Sequence, residues 1–249
     1  MRGLLKDQVS FVVGGGRFGT RAVEHLKAEN ARVLVVDVNP HCKARSRVDL
    51  ITRDLSTVDS LAEGQAALIV GEGIDQLIRF LKSKIPYVIV PAIPCHVAAK
   101  VVYNWLSMRG YKLTAYKEGT PVVADNLPKS LICCVDQAHA VIVASYMLPN
   151  RRCKENCLPP KDFCSATRRP KPAPMYELLK FSVFNVVKIS EVFVSKQLGP
   201  GIGAMSGTKL HGTLKHLEAL YEPYTLAIGT ACKCHGVLNL FRVKKIKPT

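Results

Sequence analysis

Carboxylates are scarce in this chain, with 19 Asp and Glu against 35 Lys and Arg and a net charge of +16. Aromatic residues are few as well, 7% with a single Trp, and they do not alternate with the basic runs. Single-strand readers combine a cationic track with stacking rings, so nucleic-acid binding is not expected here. No segment approaches the roughly 18 uninterrupted apolar residues of a membrane span; the run 138–149 is too short and reads as a buried strand. A signal-peptide pattern is missing too, because the apolar run after Lys6-Asp7 leads straight into a glycine turn. A cytoplasmic protein without membrane insertion is therefore expected. The cysteine count is nine, which is odd, and without export a disulfide framework is not expected.

What is present first is a glycine turn. An apolar strand, Val9 to Val13, runs into Gly14-x-Gly16-x-x-Gly19, and Ala22, Val23 and Leu26 then fall on one helix face. A second apolar strand, Val33 to Val36, ends on Asp37, 18 residues after Gly19. Dinucleotide binding needs these types in this order. Gly14 permits the tight turn, Gly16 lets the backbone approach a pyrophosphate, and Gly19 lets helix and strand pack closely. The phosphates would sit on the free N–H groups at the positive end of the helix, beside Arg17 and Phe18. Asp37 would take the adenosine ribose hydroxyls and repel a 2′-phosphate, favouring NAD(H) over NADP(H). Arg45 and Arg47, just beyond it, are the residues that would argue the other way.

The first half alternates strand and helix signals. Strands are expected at 48–52, 66–70 and 87–90, with helices at 75–83 and 94–108. This alternation predicts an α/β, Rossmann-like parallel sheet of about five strands over residues 1–112. The second half, 113–249, reads as an α+β domain carrying a Cys-rich metal-binding loop. Its expected strands are 130–135, 140–146, 186–195 and 224–230, with a helix over 207–220. The stretches 149–174 and 198–203 read as loops, and the join between domains falls within 110–119.

Five cysteines form a pattern. Cys153-x-x-x-Cys157 and Cys164 share one Pro-rich loop, and the remote pair Cys232-x-Cys234 is followed by His235. Four thiolates suit a tetrahedral zinc site and a [4Fe–4S] cluster equally, so sulfur count leaves both open. Either metal would staple a long, irregular, basic insert. Arg151, Arg152, Arg168 and Arg169 stand near in sequence and would offset the negative charge of such a site. Cys42, Cys95, Cys133 and Cys134 are isolated or apolar in context.

The basic excess is uneven. Residues 1–110 carry 15 basic and 10 acidic side chains, net +5, and residues 111–249 carry 20 and 9, net +11. That is either a solvated surface or an attraction for anions or an acidic redox partner protein. The segments Gly71-Glu72-Gly73 and Pro91 to His96 follow strands, where open parallel sheets bind ligands. Gly71 is thus a further cofactor contact, and Cys95 as nucleophile or His96 as acid–base group are the catalytic candidates. The plainer reading of Cys95-His96 is a helix start. A second glycine loop, Gly199 to Gly207 with Lys209 and His211, reads equally as a structural loop or as a seat for a small anionic ligand. Asp125-Asn126 and His139 are further polar candidates that nothing in the sequence places.

The run Gly14-Gly-Gly-Arg17-Phe18-Gly19 through Asp37 resembles the NAD-binding domain of Trk-type potassium uptake regulators, the RCK family, over residues 8–100. That resemblance implies NAD(H) or another adenine nucleotide at Gly14, Gly16, Gly19 and Asp37, commonly within a homodimer. Residues 111–249 do not look like the ligand-sensing domain of those regulators. More distantly, the first domain is similar to the dehydrogenase portion of siroheme synthases, which oxidise precorrin-2 with NAD. That family has an acidic residue where this chain has Pro91 to Pro94. The whole chain, including Cys-x-Cys-His-Gly, resembles prokaryotic Rossmann proteins of undefined function. The expected function is an NAD(H)-binding oxidoreductase or electron-transfer protein, with a non-catalytic NAD(H) sensor of the Trk type as the alternative and a precorrin-2-dehydrogenase-like enzyme as a further one.

Overall fold

The computed structural model describes residues 4–147, 153, 157–158 and 160–246. They form two compact units, Met1–Val101 with Ile202–Gly212, and Val102–Gly201 with Thr213–Thr249. The chain is mixed α/β with two multi-strand sheets. In order it forms β1 (Val9–Val13), α1 (Arg17–Ala28), β2 (Arg32–Asp37), β3 (Leu50–Thr52), β4 (Ala66–Val70), α2 (Gly73–Leu81), β5 (Val88–Pro91) and α3 (Val97–Ser107). There follow β6 (Tyr111–Ala115), α4 (Gly119–Asp125), β7 (Ile132–Asp136), β8 (Val141–Ser145), α5 (Met175–Ser182) and β9 (Ile189–Val194). The last elements are β10 (Lys196–Gly199), β11 (Ile202–Ser206), α6 (Gly207–Glu218), β12 (Tyr224–Ala231) and β13 (His235–Lys245). No helix among the described residues is long and apolar enough to cross a membrane.

In the first sheet β1 pairs in parallel with β2 and β5, β2 with β4, and β4 with β3. Val12, Val35 and Leu68 on the central strands are wholly buried, as a sheet covered on both faces requires. α1 buries Ala22, Val23 and Leu26, and α2 buries Leu77, Ile78 and Leu81, so the apolar spacing read from the sequence marks the faces that pack. Phe11 of β1 meets Phe80 of α2 with ring centroids 5.4 Å apart.

Residues 198–203, expected as a loop, are instead the turn of a hairpin. β11 lies antiparallel to β5, Met205 opposite Ile89 and Ser206 opposite Val88, and the sheet runs β10-β11-β5-β1-β2-β4-β3. Gly201 takes φ +69° in that turn, which glycine adopts without steric cost. A side chain at Gly207 would lie 1.8 Å from the Pro86 carbonyl oxygen. That residue is glycine because two backbones meet there.

The second sheet runs β7-β8-β13-β12-β9, with β6 also paired to β13. β12 and β9 are parallel and the remaining pairs antiparallel. β13 is its longest strand, and no strand is expected there from the sequence. Segment 111–115, expected at the domain join, is a strand because Tyr111 and Leu113 point inward while Lys112 and Thr114 stay exposed. α4 and α5 supply Val123, Met175 and Leu179 to a core shared with Ile142, Leu238 and Leu240.

A Gly207→Ala substitution should destabilise the protein by about 1–3 kcal/mol or more, the range for overpacking, here against backbone. Denaturant unfolding checks this, with Gly16→Ala as the comparison.

Candidate functional site

The glycine turn links β1 to α1. Gly14 takes φ +101°, and a side chain there would meet Ile93 and the Ala92 carbonyl. At Gly19 the added carbon would lie 1.9 Å from the Gly14 carbonyl oxygen. At Gly16 it would meet nothing within 4 Å. Gly16 is also the N-cap of α1, with no side-chain hydrogen bond to the helix and no acid in its first turn. α2 differs, because Glu72 there accepts the Asp75 N–H at 2.8 Å.

Asp37 closes β2 beside this turn. Its carboxylate accepts the Gly15 N–H at 2.7 Å and the Asn39 N–H at 2.9 Å. An ionised carboxylate offers about four acceptor sites, so two hydrogen bonds leave capacity for two hydroxyls. Arg47 is held by Glu24 at 2.5 Å, and Arg45 donates to the Pro40 carbonyl at 3.2 Å. Gly71 ends β4 against Gln76, whose buried Oε1 has no hydrogen-bond partner among the described residues. Phe18 is exposed, with the Arg17 guanidinium 5.2 Å from its ring. Cys42, which the sequence did not single out, packs where a Gly15 side chain would go, and its thiol is pushed up by burial and by Asp37.

Cys95 and His96 lie between β5 and α3, where the His96 carbonyl accepts the Lys100 N–H at 3.0 Å and so begins the helix. Desolvation and Glu72 push the Cys95 thiol up against the pull of Lys100, so it stays protonated at neutral pH. Of the other polar candidates, Asn126 donates to the Ser182 carbonyl, Asp125 pairs with Lys129, and His139 meets Asp136 at 2.7 Å. All three serve local structure.

The five cysteines of the pattern all lie in the second unit, where Cys153 feels Cys157, Cys164 and Cys232. Cys232 and Cys234 occupy the tight connection from β12 to β13, closed by the Cys232 N–H on the His235 carbonyl at 2.9 Å. The Cys232 sulfur accepts the N–H of Cys234 at 3.3 Å and of His235 at 3.4 Å. Cys164 repeats this arrangement in the loop clipped by the Phe163–Pro170 bridge, its sulfur taking hydrogen bonds from Ala166 and Thr167. Both loops therefore direct the amides of the second and third following residues at a sulfur. Hydrogen bonds of this kind favour thiolate, and they pull both thiols down from their usual range despite burial. For Cys232 the adjacent Cys234 is the largest influence, and the Cys234 thiol is correspondingly driven up. Cys153 is hydrogen-bonded to Cys157 and feels Cys164 and Cys232; burial first, then Cys157, pushes it up to about 11.

Lys171 is the site residue that sequence reasoning missed. Its side chain is 6% exposed, yet it has no carboxylate partner among the described residues. The ammonium donates to Cys234 Sγ at 3.4 Å and to the Pro160 carbonyl. The arginines expected in this role point elsewhere, Arg168 over the Phe163 ring and Arg169 onto the Ser130 carbonyl. Arg151 and Arg152 lie outside the described residues. Among the described residues no three Cys, His, Asp or Glu side chains are grouped so that they could hold a metal ion. The sulfurs instead hydrogen-bond in pairs, Cys153 with Cys157 and Cys232 with Cys234.

Residues 9–97 and 98–244 match the N-terminal and C-terminal domains of one two-domain family, each described as "Uncharacterized protein". An "Uncharacterized protein" of Archaeoglobus fulgidus is 34% identical over 233 residues, covering 93% of this chain and 98% of that relative. The chain belongs to this family.

In reduced, metal-stripped protein, the alkylation rate of Cys232 should stay nearly flat from pH 8 to pH 6. That of Cys95 should fall about tenfold per pH unit, because only thiolate reacts. Peptide mapping after timed iodoacetamide pulses reads both.

Proposed function

We propose that this protein binds NAD(H) across the amino end of α1 and holds a thiolate-ligated metal centre in its second unit, working as an oxidoreductase or electron-transfer protein. The observation that carries this reading is the contrast among three glycines. The fold itself accounts for Gly14 and Gly19, whose added side chains would collide with backbone. It does not account for Gly16, where a side chain would meet only open space beside uncapped amides. A pyrophosphate passing over that position supplies the missing reason.

The strand order supports a Rossmann-like reading. From β1 the chain moves outward through β2 to the edge strand β3, steps back to β4 between them, then crosses to pair β5 on the other side of β1. Ligands of such sheets bind beyond the carboxyl ends of the strands at this reversal, where Gly14, Asp37 and Gly71 stand. Asp37 has spare acceptor capacity for ribose hydroxyls, and both neighbouring arginines are engaged, which favours NAD(H) over NADP(H). The donor set of the second site suits a soft cation such as zinc or the irons of a cluster, with Cys164 and Cys232 already inclined to thiolate. Such a centre would supply either a structural tie or a one-electron carrier. Lys171 would lower the cost of burying its negative charge. An NAD(H) sensor related to the Trk-type regulators is the second reading, favoured by the protonated Cys95, which leaves that segment without an activated nucleophile.

Calorimetry with NADH should show binding to the full chain, and Gly16→Val should abolish it while leaving metal content unchanged. No heat with either NAD form overturns the first half of the proposal. Asp37→Ser should shift preference toward NADP(H) by about tenfold or more, as removing a repulsive charge does. For the second half, Cys164→Ser and Cys232→Ser should each deplete metal from anaerobically purified protein. Iron with a dithionite-bleached visible band identifies a cluster, and colourless zinc identifies a tie. Absence of both metals rejects the centre. Oxidation of NADH by an artificial acceptor distinguishes enzyme from sensor.

A further inference from the structure

The second sheet carries an exposed cationic face that neither proposed site uses. Lys112 of β6 lies directly opposite Lys244 of β13, and Thr114 lies opposite Arg242. On the other side of β13, Thr225 of β12 lies opposite Arg242. Lys188, at the start of β9, donates its N–H to the Thr225 hydroxyl at 2.9 Å. These six residues line one cavity of about 570 Å³. Its size falls within the roughly 300–1,000 Å³ typical of small-ligand pockets.

The charge arrangement is costly for the free protein. Like charges directly opposed on antiparallel strands destabilise a sheet, and Lys112 faces Lys244 in this way. Among the described residues neither lysine has an ion-pair partner, nor has Lys188. Among the described residues one ion pair forms within the group, Arg242 with Glu118 at 3.1 Å. The Arg242 guanidinium also lies 4.5 Å from the centre of the Tyr116 ring, which orients its planar fork. The one aromatic residue of the cavity wall, Tyr224, is buried with its hydroxyl donating to the Leu217 carbonyl, and offers no face for a base to stack on.

We propose that this face binds a small polyphosphorylated anion, one of about three or more negative charges, held by Lys112, Lys188, Arg242 and Lys244 with the Thr114 and Thr225 hydroxyls. The anion relieves the lysine–lysine opposition, and the fixed guanidinium supplies a paired donor to one phosphate. The site lies wholly within the second unit and does not rest on the dinucleotide reading.

Tripolyphosphate titrated into the full chain at physiological ionic strength tests it. Calorimetry should show saturable binding, weakened about tenfold by Lys112→Gln and by Lys244→Gln, the usual scale for one charged hydrogen bond. Both substitutions should also raise the Tm of the ligand-free protein, because each removes the like-charge opposition. Gly16→Val should keep tripolyphosphate binding, separating this site from the glycine turn. Lys82→Gln, remote in sequence and in the first unit, should leave it unchanged. The proposal is overturned by absence of binding, by an equal loss in Lys82→Gln, or by a lowered Tm in Lys244→Gln. Tighter binding of an oligonucleotide than of tripolyphosphate at the same salt would reassign the face to nucleic acid.

Discussion

The Gly14 carbonyl and the backbone of Gly19 approach so closely that no side chain fits between them. This contact seats the first turn of α1 directly over the end of β1. Its consequence is electrostatic, since the uncapped amides of the helix then face the region beyond the strands with a partial positive charge. Asp37 pins the same turn from the neighbouring strand through the Gly15 N–H. One carboxylate thereby fixes the loop and presents its remaining acceptors where a ribose would lie in the proposed complex.

The second unit presents a different arrangement, centred on its cysteines. Two short loops of like construction, around Cys164 and Cys232, present sulfurs hydrogen-bonded by their own backbones. The buried Lys171 between them is the telling residue. Among the described residues its ammonium has no carboxylate partner and donates to the Cys234 sulfur. In the proposed centre, whose ligating thiolates would carry negative charge, this ammonium would balance part of it.

Charge also distinguishes the two halves of the chain. Residues 111–249 carry a net +11. Part of it is concentrated on one sheet face, with two lysines set opposite each other at a cost to stability. Other basic residues are absorbed by aromatic rings, as Lys245 is by Tyr221 at 4.0 Å. Two neighbouring residues of one strand, Lys244 and Lys245, thus have opposite roles because successive side chains point to opposite faces.

The sequence alone determined the elements whose signals are local. The parallel strands at 9–13, 32–37 and 66–70 are largely apolar runs, and the glycine spacing with its terminal acid marks the turn without any knowledge of the fold. The spacing of five cysteines likewise marked a group whose members all fall in the second unit. Tertiary structure decided what depends on distant partners. β13 is hidden by its basic residues and becomes a strand only between β12, β8 and β6, and β11 overrides a glycine-rich composition by pairing with β5. Lys171 looked like one more member of a basic run, and only burial against a sulfur 63 residues away singles it out. Periodicity and turn chemistry are carried by neighbours in the chain, whereas pairing, burial and charge compensation are properties of neighbours in space.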